Sequence, residues 1–488
     1  MNNYFISENS GLISTSVVAL VFLFIGTLFS KKKLNLTSYL VSDRNVGVIR
    51  LTCTLVASSL GSWILFGPPT AAIDGGLGSV VGYALGTSFT MILLIFFGKQ
   101  LRQLFPQGKS LTEIVIKKFG NNVFKFIFCL MIFYVFIYLC AEVTAITELI
   151  KYISGLSIWI SSGIILCCVV TYVLIGGLKA SIRTDNVQFI TIILLFFYLI
   201  YVVIFKNYLH LNLNILHKEL LQLDNKSLVN SLQYGYVFFI AVAATNLFHQ
   251  GNWQRVYAAK NNKVLVTSLI IAFFIIYLIV FCMGLTGSIA KLNHLKFSQD
   301  LAFFSIVLQK NNQIVSFVIL IFATCLCIST VDSLLNSISS LTIVHSKDFF
   351  NIRNIQKQKN LSNLAVIIAV IICYLIVLFQ FSVLYLFLIA DLLCCACAYV
   401  VFKGLYQKKI SAFKSILFIS TGLIVGLLLF PSEDYSKSIL VGYLFKKENF
   451  SSILSDALLF WSFFFGTFMP LFSEFTYLGC KYLKKRLS

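Results

Sequence analysis

The stretch Leu51-Thr-Cys-Thr-Leu-Val-Ala-Ser-Ser-Leu-Gly-Ser-Trp-Ile-Leu-Phe-Gly-Pro-Pro-Thr70 is apolar enough to lie in a membrane, yet it is interrupted near its centre. Gly61, Gly67, Pro68 and Pro69 sit in or beside its middle. Proline lacks an amide hydrogen and clashes with the preceding turn, so a straight helix cannot pass through it. Carbonyls released at such a break need a donor, a water-lined cavity or an ion, because hydrocarbon offers none of these. Two readings stand: a kink that serves packing, or a broken helix of the kind that builds solute and ion sites in carriers.

Outward from this segment the composition stays that of a membrane protein. Hydrophobic residues make up 59% of the 488 and charged residues only 11%, with mean hydropathy +0.91. Spans of about 20 apolar residues cross a hydrocarbon core of ~30 Å. The pattern predicts an all-α polytopic fold of about thirteen transmembrane helices. They lie near 11–30, 51–73, 77–98, 122–145, 155–177, 185–205, 231–249, 264–286, 312–345, 361–380, 382–402, 413–431 and 452–478. The gaps around 206–230 and 287–311 are too short for separate soluble domains. Gly11 to Ser30 runs directly into Lys31-Lys32-Lys33, without a basic leader or small-residue cleavage site, and reads as the first membrane helix.

The net charge of +20 does not point to nucleic acid, because the basic residues occupy short gaps between spans. With the N-terminus outside, roughly 28 of them fall in cytoplasmic gaps and about 10 outside, the bias of the positive-inside rule. The expected location is a plasma or inner membrane with a cytoplasmic C-terminus. Of 13 cysteines, all but Cys480 lie in apolar spans without metal-ligand spacing, and read as small buried hydrophobes.

Span nine carries Cys327-Ile-Ser329-Thr330-Val-Asp332-Ser333-Leu-Leu-Asn336-Ser337-Ile-Ser339-Ser340. On a helix Ser329, Asp332 and Ser333 share a face and Thr330 adjoins it. Hydroxyl and carbonyl oxygens suit a hard cation; the alternative is small-residue packing with hydroxyls bonded back to the i−4 carbonyl. Glu142, Asp185 and Asp391 also fall within or at the start of spans, where acids are functional candidates. Asp185 has a second reading as a helix-start cap beside Thr184. Asp74 and Glu148 are expected near the outer surface. His249, Gln250, Asn252, Trp253, Gln254 and Arg255 follow span seven, either as solute contacts or as an interfacial belt.

At these residues the chain resembles the sodium:solute symporters, a group of proline, pantothenate, sugar and sialic-acid carriers with more distant urea carriers. The resemblance runs from Ser42 to Phe350 and less clearly to Tyr406. It rests on Ser42-Asp43-Arg44-Asn45-Val46-Gly47, Ala57-Ser-Ser-Leu60-Gly-Ser-Trp63 with Gly67-Pro68-Pro69, and Pro106 to Gly120. Gly176-Gly177-Leu178-Lys179-Ala180 through Gln188, Trp253-Gln254-Arg255 with Ala258-Ala259-Lys260, and Ser329 to Asn336 complete it. It implies two inverted five-helix repeats of the leucine-transporter type, over 41–205 and 206–410. Residues 1–40 would hold an extra helix and its linker, and 411–488 two further helices with a basic tail.

The resemblance also implies a sodium site made of the carbonyls of Ala57, Leu60 and Leu326 and the side chains of Ser329 and Thr330. Asp185, with Asp332 and Ser333, would belong to a second ion site or the exit route, unless Arg183 neutralises Asp185. The solute would lie beside the break, against Ser59, Ser62, Trp63 and Phe66, with Tyr83, Phe248, His249 and Gln250 as further candidates. The expected function is sodium-coupled symport of a small polar solute by alternating access, with no cofactor beyond Na⁺ as coupling ion and no obligate protein or nucleic-acid partner. The rivals are proton coupling through Asp332 or Glu142, and a solute-binding membrane sensor; the end of the chain soon after span thirteen weighs against the sensor. No enzyme motif appears. With no Arg or Lys expected deep in the core, a neutral solute is favoured over a carboxylate.

Overall fold

The computed structural model describes residues 4–28, 36–206, 225–293, 301–308, 312–407, 411–433, 437–441 and 457–487. Lys31, Lys32, Lys33, Lys408 and Lys409 of the charge argument lie outside them. The helices are α1 (Glu8–Leu28), α2 (Leu36–Val41), α3 (Val48–Ser59), α4 (Gly67–Leu104), α5 (Thr112–Phe119), α6 (Asn121–Ser154), α7 (Ile158–Tyr201) and α8 (Asn225–Phe248). They continue with α9 (Gln250–Ala258), α10 (Asn262–Leu292), α11 (Ala302–Val307), α12 (Gln313–Phe350), α13 (Ile355–Val377), α14 (Val383–Gly404), α15 (Ala412–Leu429) and α16 (Leu458–Leu487). In hydrocarbon every backbone group must be satisfied within its own segment, which apolar runs of this length achieve only as helices.

Among the described residues eleven helices are long and apolar enough to cross a membrane, or twelve if α3 and the segment after it count as one bent span. The expected count of thirteen is not reproduced. Expected spans five and six, 155–177 and 185–205, run on as the single 44-residue α7. A straight helix of that length would reach about 66 Å, more than twice the hydrocarbon thickness. The backbone instead leaves helical geometry once inside it, at Gly177 (φ 55°, ψ −150°). Gly76 in α4 has almost the same angles (φ 57°, ψ −147°). Both lie in a region closed to residues with a Cβ.

Outward faces are apolar: Phe24, Leu194 and Phe274 are all more than 60% exposed, as lipid contact requires. The interior is apolar too but also holds the buried polar groups, with α12 buried along most of its length and carrying its hydroxyl run inward. At the centre α4 and α8 approach backbone to backbone. A Cβ added at Gly78, Gly82 or Gly86 would overlap the carbonyls of Ser231, Gly235 or Phe238 respectively. Glycines four residues apart make the seam that lets membrane helices touch this closely. The extra helix α1 packs on α7 with Gly26 against the Tyr172 ring. Helices α15 and α16 pack on each other, joined by Ser462 Oγ to Gly426 O (2.8 Å) and Thr421 to Ser473 (2.9 Å).

Candidate functional site

Two helices are broken at the middle of the bundle. The first break follows α3. Leu60 (φ −104°, ψ 93°) and Gly61 (φ −90°, ψ −178°) are extended, a tight turn covers Ser62–Leu65, and Pro68 and Pro69 open α4. The two segments meet at 59°. The last backbone bond of α3 runs from Leu60 N to Val56 O (3.1 Å). The Ser62 amide turns to Glu142 Oε2 (2.9 Å) and the Ile64 amide to Gly61 O (3.3 Å). The carbonyls from Ala57 to Leu60 therefore have no helical donor. Ser62 Oγ also binds Glu142 Oε2 (2.6 Å), so this carboxylate holds the exposed amide end of the next segment. Gly61 is required here because a Cβ would overlap Glu142 Oε1.

The second break falls at His249 (φ −66°, ψ 109°), between α8 and α9. The sequence showed only polar residues after a span and left an interfacial belt open. The structure buries the whole group, from His249 through Arg255. Side chains of α9 reach back across the break: Asn252 Nδ2 donates to Asn246 O (2.8 Å) and Trp253 Nε1 to Leu247 O (2.7 Å). These bonds satisfy carbonyls that a continuous helix would have satisfied itself.

Arg255 corrects two expectations. It is fully buried, so a basic residue does lie deep in the core, and it, rather than Arg183, neutralises Asp185. Its Nη2 is 2.9 Å from Asp185 Oδ2 and its Nε donates to Thr54 Oγ1 (2.9 Å). Nη2 also donates to Ser333 Oγ (2.9 Å) and Nη1 to Gly251 O (3.1 Å). Arg183 is only partly buried and lines a surface pocket with Arg50 and Lys179. Asp185 is not a helix-start cap either, since it lies inside α7. It accepts from Thr54 Oγ1 of α3 (2.5 Å) and Ser329 Oγ of α12 (2.7 Å), tying the first broken helix to the hydroxyl-rich one.

Thr330, next to Ser329, has a buried hydroxyl with no hydrogen-bond partner, as has Ser59. Leu326 is one turn earlier on α12 and fully buried. Asp332 is held by Tyr172 OH and Ser181 Oγ (2.8 Å each), and by Thr184 and Ser333 (3.2 Å each). Thr184 and Ser333 divide their protons with the carbonyls of Ser181 and Ser329, so Tyr172 and Ser181 are the firm donors that spread the charge without a cation.

Trp63 and Tyr83 face a small cavity shared with Tyr138, Thr245, Asn246 and Asp391. The other expected solute contacts sit elsewhere: Phe66 packs on Phe304, Phe248 on Phe402, and Gln250 donates to Lys109 O (2.9 Å). His249 lies 6.4 Å from the rings of Tyr134 and Tyr138, and its Nδ1 has no partner. Sequence reasoning did not pick out Thr54, Tyr138 or Thr245, which carry no signal until the helices are packed.

The sodium:solute symporter family profile matches residues 39–418, most of the chain. The chain belongs to the sodium:solute symporter family. This symporter is 29% identical over 394 residues to the spermidine transporter of Candida albicans, covering 78% of this chain and 71% of that one. Its fold matches a Na⁺-coupled sialic acid symporter, solved substrate-bound and outward-open, with TM-score 0.71 at 15% identity, covering 96% of this chain and 98% of the other. A nucleobase-cation-symport-1 family transporter, solved closed with bromovinylhydantoin, matches with TM-score 0.54 at 12% identity, over 91% and 96% of the two chains. The symporter is thus a multi-pass membrane transporter of the leucine-transporter fold, and not an enzyme.

Proposed function

We propose that this symporter couples Na⁺ movement to uptake of a small polar organic solute by alternating access. The observation that carries the reading is the set of carbonyls from Ala57 to Leu60 that have no helical donor, together with the partnerless, buried Thr330 hydroxyl on α12. Oxygens left without donors in a dry interior cost free energy that a hard cation recovers. In this scheme Ala57, Leu60, Leu326, Ser329 and Thr330 hold the ion, and Asp185 with Ser333 lies on its inner route. Ion binding draws α3 towards α12 and raises solute affinity at the neighbouring break; by linkage the solute raises ion affinity equally. The N-terminus would face outside and the C-terminus the cytoplasm of a plasma membrane. The relative that transports spermidine supports including organic amines among the solutes tested.

The test is reconstitution in liposomes with labelled amines, amino acids, sugars and urea under Na⁺, H⁺ or no gradient. Accumulation that requires inward Na⁺ supports the reading; accumulation driven equally by a pH gradient in Na⁺-free medium overturns it. Proton coupling remains the second reading because Asp332 is a buried carboxylate with no basic side chain among its partners.

A further inference from the structure

The core of the bundle buries four carboxylates, those of Glu142, Asp185, Asp332 and Asp391, against one buried arginine or lysine among the described residues, Arg255. Three of the acids are well supplied by the protein. Asp185 has Arg255 and two hydroxyls, Asp332 has the undivided hydroxyls of Tyr172 and Ser181, and Glu142 has the Ser62 amide and hydroxyl. Asp391 on α14 receives a single hydrogen bond, from Thr245 Oγ1 (2.6 Å). That hydroxyl is equally close to Ala241 O (2.6 Å), and its one proton cannot serve both acceptors. Asp391 is therefore the buried acid with the poorest protein partners.

Its surroundings say what would complete it. Asp391 lines the cavity beside both breaks, whose walls are the rings of Trp63, Tyr83, Tyr138 and Phe387 together with Val242, Thr245 and Asn246. Trp63 stacks on Tyr83 (5.5 Å between centroids) and Tyr138 packs on Phe387 (4.7 Å). Free space for a water-sized guest is about 20 Å³, room for one ammonium head, so the rest of any organic solute needs the cavity to widen. Na⁺ wants a full shell of oxygens, which ring carbons do not supply. A cation seated on aromatic faces gains from their negative quadrupole and neutralises the carboxylate. A neutral solute would leave the carboxyl to be neutralised by a proton instead, and an anionic one would be repelled.

We propose that the solute is an organic cation whose ammonium group seats against Asp391 between Trp63 and Tyr138. The proposal rests on the transport reading above and names the substrate class for that site. The unpartnered Trp63 Nε1 supplies a donor for a second polar group on the same solute.

The test uses the full chain in liposomes with labelled 1,4-diaminobutane, competed by unlabelled 1,4-diaminobutane, 1,4-butanediol or butanedioate. The diamine should compete at least about a hundredfold better than the diol or diacid. Asp391→Asn should raise the half-saturating diamine concentration about tenfold or more, as should Tyr138→Leu, whereas Tyr138→Phe should change it little. Equal potency of diol and diamine, or an unchanged half-saturation in Asp391→Asn, overturns the proposal. If Asp391→Asn does not fold, the wild-type competition and the Tyr138 pair still decide it. Thermal stabilisation of the solute-free protein by NaCl over KCl reads the ion site separately. Stabilisation without amine uptake refutes the cationic solute alone; amine uptake indifferent to Na⁺ keeps it and removes sodium coupling.

Discussion

Arg255 Nη2 and Asp185 Oδ2 are 2.9 Å apart, and neither side chain has any exposed surface. The pair joins α9, beyond the second break, to α7, and through Thr54 and Ser329 it reaches α3 and α12. Taking two charges out of water is costly, and their attraction recovers that cost only when the remaining donors and acceptors are also met. Here every contact of the guanidinium is to the carboxylate, a hydroxyl or a carbonyl.

Removing one partner should therefore harm the fold more than removing both. Arg255→Met leaves Asp185 uncompensated and should cost about 3–5 kcal/mol. Adding Asp185→Asn should return a substantial part of that loss. Thermal denaturation of the purified single and double variants in detergent checks the cycle; equal losses in both would show that the pair is not coupled.

Loss of a sodium ligand should separate ion from solute. Ser329→Ala and Thr330→Ala should each raise the Na⁺ concentration for half-maximal uptake about tenfold or more, since a missing charge-assisted ligand costs about 1.5–3 kcal/mol. At saturating Na⁺ the solute half-saturation should shift by less than about threefold. Uptake titrated against Na⁺ at fixed solute measures this, and full Na⁺ coupling in both variants would remove the ion-site assignment.

The α4–α8 seam should tolerate no side chain. Gly82→Val places methyls on the Gly235 carbonyl, against backbone that cannot swing aside. Overpacking of this kind costs about 1–3 kcal/mol or more and should lower the folded yield sharply. Gly47→Ala is the control, since nothing lies within 4 Å of its added Cβ. Monodispersity on size-exclusion chromatography distinguishes the two.

Backbone strain can be measured apart from crowding at the two glycine bends. Gly76 and Gly177 share their dihedrals, but a Cβ at 76 meets nothing within 4 Å, whereas at 177 it meets the Tyr39 ring. Gly76→Ala should cost about 1–3 kcal/mol from the dihedral alone, and Gly177→Ala more. Equal melting temperatures for Gly76→Ala and the parent would refute the strain argument.

The first break was legible because its cause is local: Gly61, Pro68 and Pro69 forbid a straight helix whatever surrounds them. The second was not. No proline or glycine lies in the ten residues before His249, although Gly251 follows it by two, and the break is sustained by Asn252 and Trp253 reaching back six residues, a geometry that composition does not encode. The same limit hid Arg255. A basic residue between spans reads as cytoplasmic on charge statistics, and only the packing of α9 into the core turns it inward. Asp185 and Ser329 stood out in the sequence as polar atoms in apolar runs, but the contact between them joins residues 144 positions apart. The two expected spans part at residue 177, where α7 bends, but the polar stretch from Lys179 to Asp185 continues as helix instead of forming a loop.

The glycine seam welds α4 to α8. Across the breaks, the residues leading into α3 and ending α9 are laced by Val46 N to Ala258 O and Lys260 N to Val46 O (3.1 Å each). The four half-helices are thus two couples, joined through the unwound peptides at Leu60–Gly61 and His249 and through the bend at Gly76 that precedes the seam. A rotation at one unwound peptide alone would strain the seam, the lacing or that bend. A guest among Trp63, Tyr138 and Asp391, as proposed above, would lie next to both unwound peptides.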